Sequence, residues 1–366
     1  MNRLIAISTV ICLLVLVGCG TPPTSPPTQS APPTSPSPPT SPSVETPTIT
    51  IQPPEMVAHA PQSTQLVSRT YRWTYGGKQW TWELQIPQAL YDYYKGVPRS
   101  PTPNYSIYVT HPLQSPYIAQ LVNKIRSVAQ QEGFSEFQTV ELAAAFVQSL
   151  PHTSDLLTTG YDEYPRYPVE TLVDNGGDCE DTAILMASLL KAMGYGVVLI
   201  VFPETPACPG HCAVGVLGGE GIYGSYYEYN GGKYFYLETT NTGWAVGQIP
   251  DQYKAVRANI YDMTPVPILT HTWISTGRGN IVDLQATVSN LGSSAAEGVY
   301  VYTGFDAGNN QIWNAQQSPS FQIGVDEKVT VSISLRVPQG KHTRLIVQVV
   351  YGEYAVDQSY SDWFDT

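Results

Sequence analysis

Basic residues are scarce in this chain. Its 366 residues carry 18 Lys and Arg against 30 Asp and Glu, a formal net charge of -12. That balance argues against a nucleic-acid partner and against electrostatic adhesion to anionic wall polymers. Histidine is rarer still, with six in the whole chain, and cysteine numbers five. No loop of EF-hand type occurs, so no metal and no cofactor is expected. The opening apolar run, Leu4 to Val17, is too short for a comfortable membrane span.

What is present begins with an address. Arg3 supplies a positive n-region before that run, as in an export signal. The run ends in Leu16-Val17-Gly18-Cys19, which resembles the lipobox of bacterial lipoproteins. The resemblance implies cleavage before Cys19 and acylation of that residue, with residues 1–18 as signal peptide. Several acyl chains on one cysteine give stable anchoring. Residues 19–60 are dominated by Pro, Ser and Thr and read as an extended, solvated tether. The expectation is an extracytoplasmic protein, lipid-anchored at the cell surface. Roughly 300 residues remain, enough for two domains with their own cores.

The later part is organised around residues 175–194, NGGDCEDTAILMASLLKAMG. Ala183, Ile184, Ala187 and Leu190 share one helix face, and Gly194 suits a left-handed C-cap. Cys179 therefore falls at a helix N-terminus, where unpaired N–H groups and the dipole favour a thiolate. Inert packing is the alternative, since cysteine is among the residues most often buried. The cysteine count bears on this. With Cys12 removed and Cys19 acylated, Cys179, Cys208 and Cys212 remain. An odd number in an oxidising compartment implies a free thiol or an intermolecular bridge. Cys208 and Cys212, four apart, could close a small loop, leaving Cys179 free.

Taken in order, Val67 to Ile86 reads as a hairpin around Gly76-Gly77. A short helical segment over 87–96 follows. Ser115-Pro116 opens a helix that Gly133 stops, and Ser135 with Gln138 caps a second that Pro151 ends. Residues 152–174 lack periodicity and read as a surface loop. Strands are expected over 196–202 and 211–216, then a hairpin around Gly231-Gly232. From about 270 onward, short alternating strands at sandwich-like spacing take over.

A cysteine nucleophile needs a base, and the base an orienting group. His211 opens a strand downstream of the cysteine helix, whereas His152 trails a helix into a loop. Glu238 lies on a later strand that could stand behind the imidazole. GGDCEDTAILMASLLKAMG, then GHCAVGV, then YFYLETTNTGW, resembles the transglutaminase-like superfamily of papain-like fold. The resemblance covers roughly residues 67–255. It implies Cys179 as nucleophile, His211 as general base and Glu238 as the orienting acid, where the family usually has aspartate. Cys212-Ala213 follows the histidine in place of the common Ala-Trp. The implied chemistry is acyl transfer through a thioester, the oxyanion held by the Cys179 N–H and a second donor, for which Tyr167 is the candidate. Glu180 and Asp181, being anionic, oppose thiolate formation unless they point away.

The expected architecture is thus α+β: a papain-like, transglutaminase-like domain over 61–265 followed by an all-β immunoglobulin-like sandwich over 266–366. The latter resembles CARDB modules of bacterial surface proteins through VSNLGSSAAEGVYVY and KVTVSISLRVP, and reads as a binding or spacer module. The expected activity is cysteine-dependent hydrolysis of amide or peptide bonds, with a peptide or protein, cell-wall peptide included, as substrate. Three other readings stand beside it. One is a structural zinc site from Cys179, Cys208, His211 and Cys212. Another is an inactive surface binding or adhesion protein. The third is a crosslinking acyltransferase.

Overall fold

The computed structural model describes residues 49–51, 64–100, 102–206, 208–219, 222–309 and 311–366. The signal peptide, Cys19 and most of the tether lie outside them. Helices and antiparallel sheets are both prominent, compatible with an α+β fold. Among the described residues no helix is long and apolar enough to cross a membrane.

The first strand, β1 (Ile49–Ile51), corrects the tether reading. It pairs antiparallel with a strand near the other end of the chain, Ile49 opposite Ile333. Ile-Thr-Ile is β-branched where the preceding tract is Pro-rich, and such residues suit a sheet edge. Next, β2 (Leu66–Tyr75) and β3 (Lys78–Pro87) form the expected hairpin. Gly76 and Gly77, with φ of 61° and 72°, make its two-residue turn. Helices α1 (Gln88–Gly96) and α2 (Ser106–Thr110) lead to α3 (Ser115–Glu132), which Gly133 ends at φ 69°. The reciprocal box of Ser135 and Gln138 starts α4 (Glu136–Gln148).

Residues 152–174 depart from the surface-loop expectation. They hold two short helices, α5 (Asp155–Thr158) and α6 (Pro168–Asp174), and six successive residues of α6, Pro168 to Val173, are buried. Both helices are too short for a 3.6-residue period to show, and the ion pairs that hold this segment join distant residues. Helix α7 (Cys179–Ala192) also differs from a one-sided stripe: every residue from Glu180 to Leu190 is buried. It lies between α3, α4 and α6 on one side and a sheet on the other, so all its faces are covered.

That sheet has the order β6-β7-β5-β4-β8. Its strands are β4 (Val197–Phe202), β5 (His211–Leu217), β6 (Tyr226–Tyr229), β7 (Gly232–Leu237) and β8 (Asn259–Asp262). The β6–β7 turn is Asn230-Gly231, both at positive φ, one residue earlier than the sequence suggested. Alternation along β5 sends Cys212, Val214 and Val216 into the core shared with α7. Ala213 faces a second cluster with Phe202, Cys208, Tyr236 and Tyr253.

The remaining strands form two sheets over one core. Strands β9 (Leu269–Arg278), β10 (Ile281–Asn290) and a later strand, β14 below, make one with β1. The other contains β11 (Ala296–Gly308), β12 (Gln311–Gln317) and β13 (Phe321–Ile323). Completing them are β14 (Lys328–Arg336), the short β15 (His342–Thr343), β16 (Leu345–Tyr351), β17 (Tyr354–Tyr360) and β18 (Phe364–Asp365). Alternate residues of β10, β11, β14 and β16 fill the space between the two sheets.

The two halves are clamped together. Asp326 accepts hydrogen bonds from Tyr93 and from His111 Nε2, the latter at 2.9 Å, and Thr110 meets Ser293 at 2.6 Å. Asn290, in the Asn-Leu-Gly turn, is fully buried. Its Oδ1 accepts from the Ile268 and Gly292 N–H groups, and its Nδ2 donates to the Ser294 and Gly324 carbonyls. Asn290→Ala leaves four backbone groups, one buried and three part-buried, short of a partner and should cost about 1–3 kcal/mol. Urea denaturation checks this, and an unchanged midpoint would refute the clamp.

Candidate active site

Cys179 is the first residue of α7, and Asp178 precedes it in extended conformation. The approach is tight. Gly177 donates to the Pro151 carbonyl and accepts from Thr153, so residues 151–153 run beside 176–178. A Cβ on Gly177 would lie 2.4 Å from the Asp181 carboxylate, and one on Gly176 2.6 Å from the Pro151 carbonyl. The glycine pair is what allows this close approach. His152, set aside as a loop residue, sits beside Gly177, two residues from the cysteine.

Across from the helix, His211 opens β5 and Glu238 follows β7. His211 Nε2 meets Glu238 Oε2 at 3.0 Å. Glu238 is 2% exposed and also accepts from Tyr236 OH at 2.7 Å and from the Thr239 and Thr240 backbone N–H groups, both at 3.0 Å. Burial pushes its carboxyl up, but the His211 bond and charge, with the Thr240 donors, bring it down to about 2. Gln148, contacting neither histidine nor cysteine, holds this corner by donating to the Glu238 and Trp244 carbonyls. With Nε2 engaged, Nδ1 is the ring nitrogen left to take a proton. The imidazole stacks on Tyr253 at 4.7 Å.

The thiol itself is not an anion here. Burial, then the neighbouring Glu180 and Cys212, push Cys179 well above an ordinary cysteine, while the Cys212 backbone N–H works the other way. Its Sγ donates to Glu180 Oε2 at 3.3 Å. The tension between the acidic pair and the thiolate is therefore real for Glu180, which points at the sulfur. Asp181 points elsewhere, to the buried guanidinium of Arg166 and the Arg166 N–H. Burial, then a hydrogen bond with Asp178, raises Glu180 well above the usual carboxyl range and favours its neutral form.

Two expectations change. Cys208 and Cys212 do not form a disulfide; all three described cysteines are free. The sheet separates them, for Cys212 faces α7 while Cys208 packs in the opposite cluster. The same separation removes the zinc reading, since its four ligands do not converge. Tyr167 is 1% exposed, its ring packed on Tyr94, Tyr108 and His111. A buried, fully packed ring is a poor oxyanion donor.

A cluster of carboxyls lies beside the cysteine. Carboxylate oxygens of Asp155, Asp178 and Glu180 lie within 4.8 Å of one another. Asp178 Oδ1 and Glu180 Oε1 are buried with no partner beyond a proton shared between their two carboxyls, and burial with the Asp178 charge pushes Asp155 up to about 6. Orphaned hard oxygens of this kind fit a hard divalent cation. Its charge would offset the carboxylates that oppose the thiolate. No contiguous motif announces such a group, because Asp155 comes from α5 and the others from the start of α7.

In the C-terminal half, His271 Nδ1 meets Asp357 at 2.7 Å and Nε2 meets Ser359 Oγ at 2.7 Å. Ser359 also accepts from the Trp273 indole, and the His271 side chain is 1% exposed. The cluster joins β9 to β17, closing one edge between the two sheets.

No protein-family model matches the sequence, and no curated protein matches it. Solved structures show partial likenesses. Calcium-bound LapG of Legionella pneumophila is 17% identical, over 38% of this chain and 87% of that one, with a TM-score of 0.26. Red sea bream transglutaminase is 9% identical, over 81% and 61%, at 0.23. The CARDB domain of the PF1109 protein from Pyrococcus furiosus, in complex with di-metal ions, is 13% identical, over 27% and 87%, at 0.20.

Two outcomes are expected. Glu238 is depressed from 4.5 to about 2, so its contribution, about 3 kcal/mol, is complete above pH 4.5 and lost as pH falls toward 2. Glu238→Gln should flatten that part of the acid limb in urea titrations; superimposable limbs would count against the pairing. A divalent cation held by Asp155, Asp178 and Glu180, at a hundredfold excess over its Kd, should stabilise the chain by about 2.7 kcal/mol, and less in Glu180→Gln. Melting curves with calcium or chelator decide this.

Proposed function

We propose that this chain is a cysteine hydrolase of amide or peptide bonds, of transglutaminase-like, papain-like type, with Cys179 as nucleophile, His211 as base and Glu238 as the acid that orients it. It acts outside the cytoplasm, lipid-anchored through Cys19, with residues 266–366 as an immunoglobulin-like module beside the catalytic domain. The observation that carries this reading is the hydrogen-bonded His211–Glu238 pair on adjoining strands of the sheet that packs against the helix opened by Cys179.

In this reading His211 Nδ1 takes the thiol proton as the sulfur attacks the substrate carbonyl. Glu238 fixes the tautomer and balances the imidazolium. The tetrahedral oxyanion is met by the Cys179 backbone N–H at the helix start. His211 then protonates the departing amine, and water cleaves the thioester. Buried and donating to Glu180, the thiol gives up its proton to His211 only in the presence of substrate.

Cys179→Ala should abolish turnover of a peptide substrate while leaving the circular dichroism spectrum intact. Glu238→Gln should lower kcat by roughly 10²–10⁴-fold. Alkylation from pH 5 to 9, mapped by mass spectrometry with His211→Ala alongside, tests the pair directly. Fast labelling of Cys179 that depends on His211 supports the enzyme. Labelling only near the free-thiol value, roughly 8.5, with turnover retained in Cys179→Ala, would defeat it and favour a binding protein.

A further inference from the structure

Cys212 has no role in the reaction, yet the fold puts it against the nucleophile. The β5–β7 register pairs Val214 with Leu237. Continued by two residues, it sets Cys212 opposite Thr239. Thr239 meets α7 directly, its hydroxyl 3.0 Å from that of Thr182. Thr182 lies three residues after Cys179, on the same side of the helix. Cys212 and Cys179 therefore face one another across the junction of helix and sheet, and both pack on the same apolar cluster. The Cys212 backbone N–H reaches the Cys179 sulfur. Both thiols are free, whereas Cys208 lies on the other side of the sheet with its sulfur 3.7 Å from the Gln252 carbonyl.

We propose that Cys179 and Cys212 form an oxidative modification site, in which a hydroperoxide converts the two facing thiols into a disulfide that shields and silences the nucleophile. The site itself rests on placement alone; only the silencing rests on the function proposed above. The chemistry closes without other reagents. The Cys179 sulfur attacks a peroxide oxygen, the O–O bond breaks, and Cys179 sulfenic acid and one water form from hydrogen peroxide. The Cys212 sulfur then attacks the Cys179 sulfur, the S–O bond breaks, and hydroxide leaves with the Cys212 proton as a second water. Two thiols lose two electrons and the peroxide gains them. Cys212 being 2% exposed, peroxide meets Cys179 first and Cys212 acts as the resolving thiol.

The test treats the full chain with equimolar hydrogen peroxide, then denatures, alkylates and maps peptides without reduction. The expected result is one cross-linked peptide pair joining Cys179 to Cys212, with Cys208 still fully alkylated. Dithiothreitol should restore both thiols. In Cys212→Ala, Cys179 should instead accumulate as dimedone-reactive sulfenic acid and pass to sulfinic acid that dithiothreitol does not reverse. Cys179 oxidised in the natural chain while Cys212 stays alkylatable, or a link through Cys208, would overturn the proposal. Because the readout is mass, a failed search for amide hydrolysis leaves this result legible. Where a substrate is found, loss and recovery of turnover should track the disulfide.

Discussion

A single buried cation holds residues 155–181 in register. Arg166 is 1% exposed, and its guanidinium binds Asp181 at the start of α7, Asp155 at the start of α5 at 2.7 Å, and Thr158 at 2.6 Å. Burial alone would weaken its charge, but Asp181 and Asp155 more than restore it. A charge so placed is tolerated only when its partners are fixed, so the loop, α5 and the first turn of α7 must form together. Removing any one member would strand the others in a medium that does not solvate them. The backbone adds to this, since Arg166 N–H binds Asp181 at 2.6 Å and Tyr164 N–H binds Asp155 at 2.5 Å.

The surroundings of Cys179 follow from that arrangement. Because Arg166 takes Asp181 out of the sulfur's reach, Glu180 is left as the acidic group that bears on Cys179. Beneath it, Asp178 and Asp155 complete an acidic pocket with more carboxylates than cations to balance them. Burial and this acidic neighbourhood push the Cys179 thiol upward and favour its protonated form. A proton, a cation or a bound substrate can change that balance, and each acts on the same few oxygens. His211 and Glu238 form a separate hydrogen-bonded pair, its carboxylate held by Tyr236, Thr239 and Thr240.

The C-terminal sheets join this scheme through Asp326 and Asn290. Asp326 binds His111, whose ring packs on Tyr167 and whose Nδ1 meets Tyr94 OH at 2.9 Å. Tyr167 in turn precedes α6, next to Arg166. A continuous set of packed rings thus runs from the sheet turn to the loop that carries the central cation. Residues Ile49–Ile51 also join these sheets, as an edge strand.

The sequence by itself was enough for the local decisions. Gly76-Gly77 specified a hairpin, Ser135 with Gln138 a helix start, and the GGDC run the opening of α7. Each is short-range chemistry, decided by φ preference or by a cap three residues away. The strand pairing behind Cys179, His211 and Glu238 was legible only as an order of elements; the bond between His211 and Glu238 needed the register of β5 on β7. Only the tertiary structure decided that Glu180 turns to the sulfur and Asp181 away, that Asp155 joins Asp178, and that Cys212 faces Cys179 while Cys208 does not. Those outcomes depend on which side of a sheet a side chain takes and on ion pairs between residues far apart in sequence. Neither leaves a period or a motif, because both are settled by desolvation once the layers close.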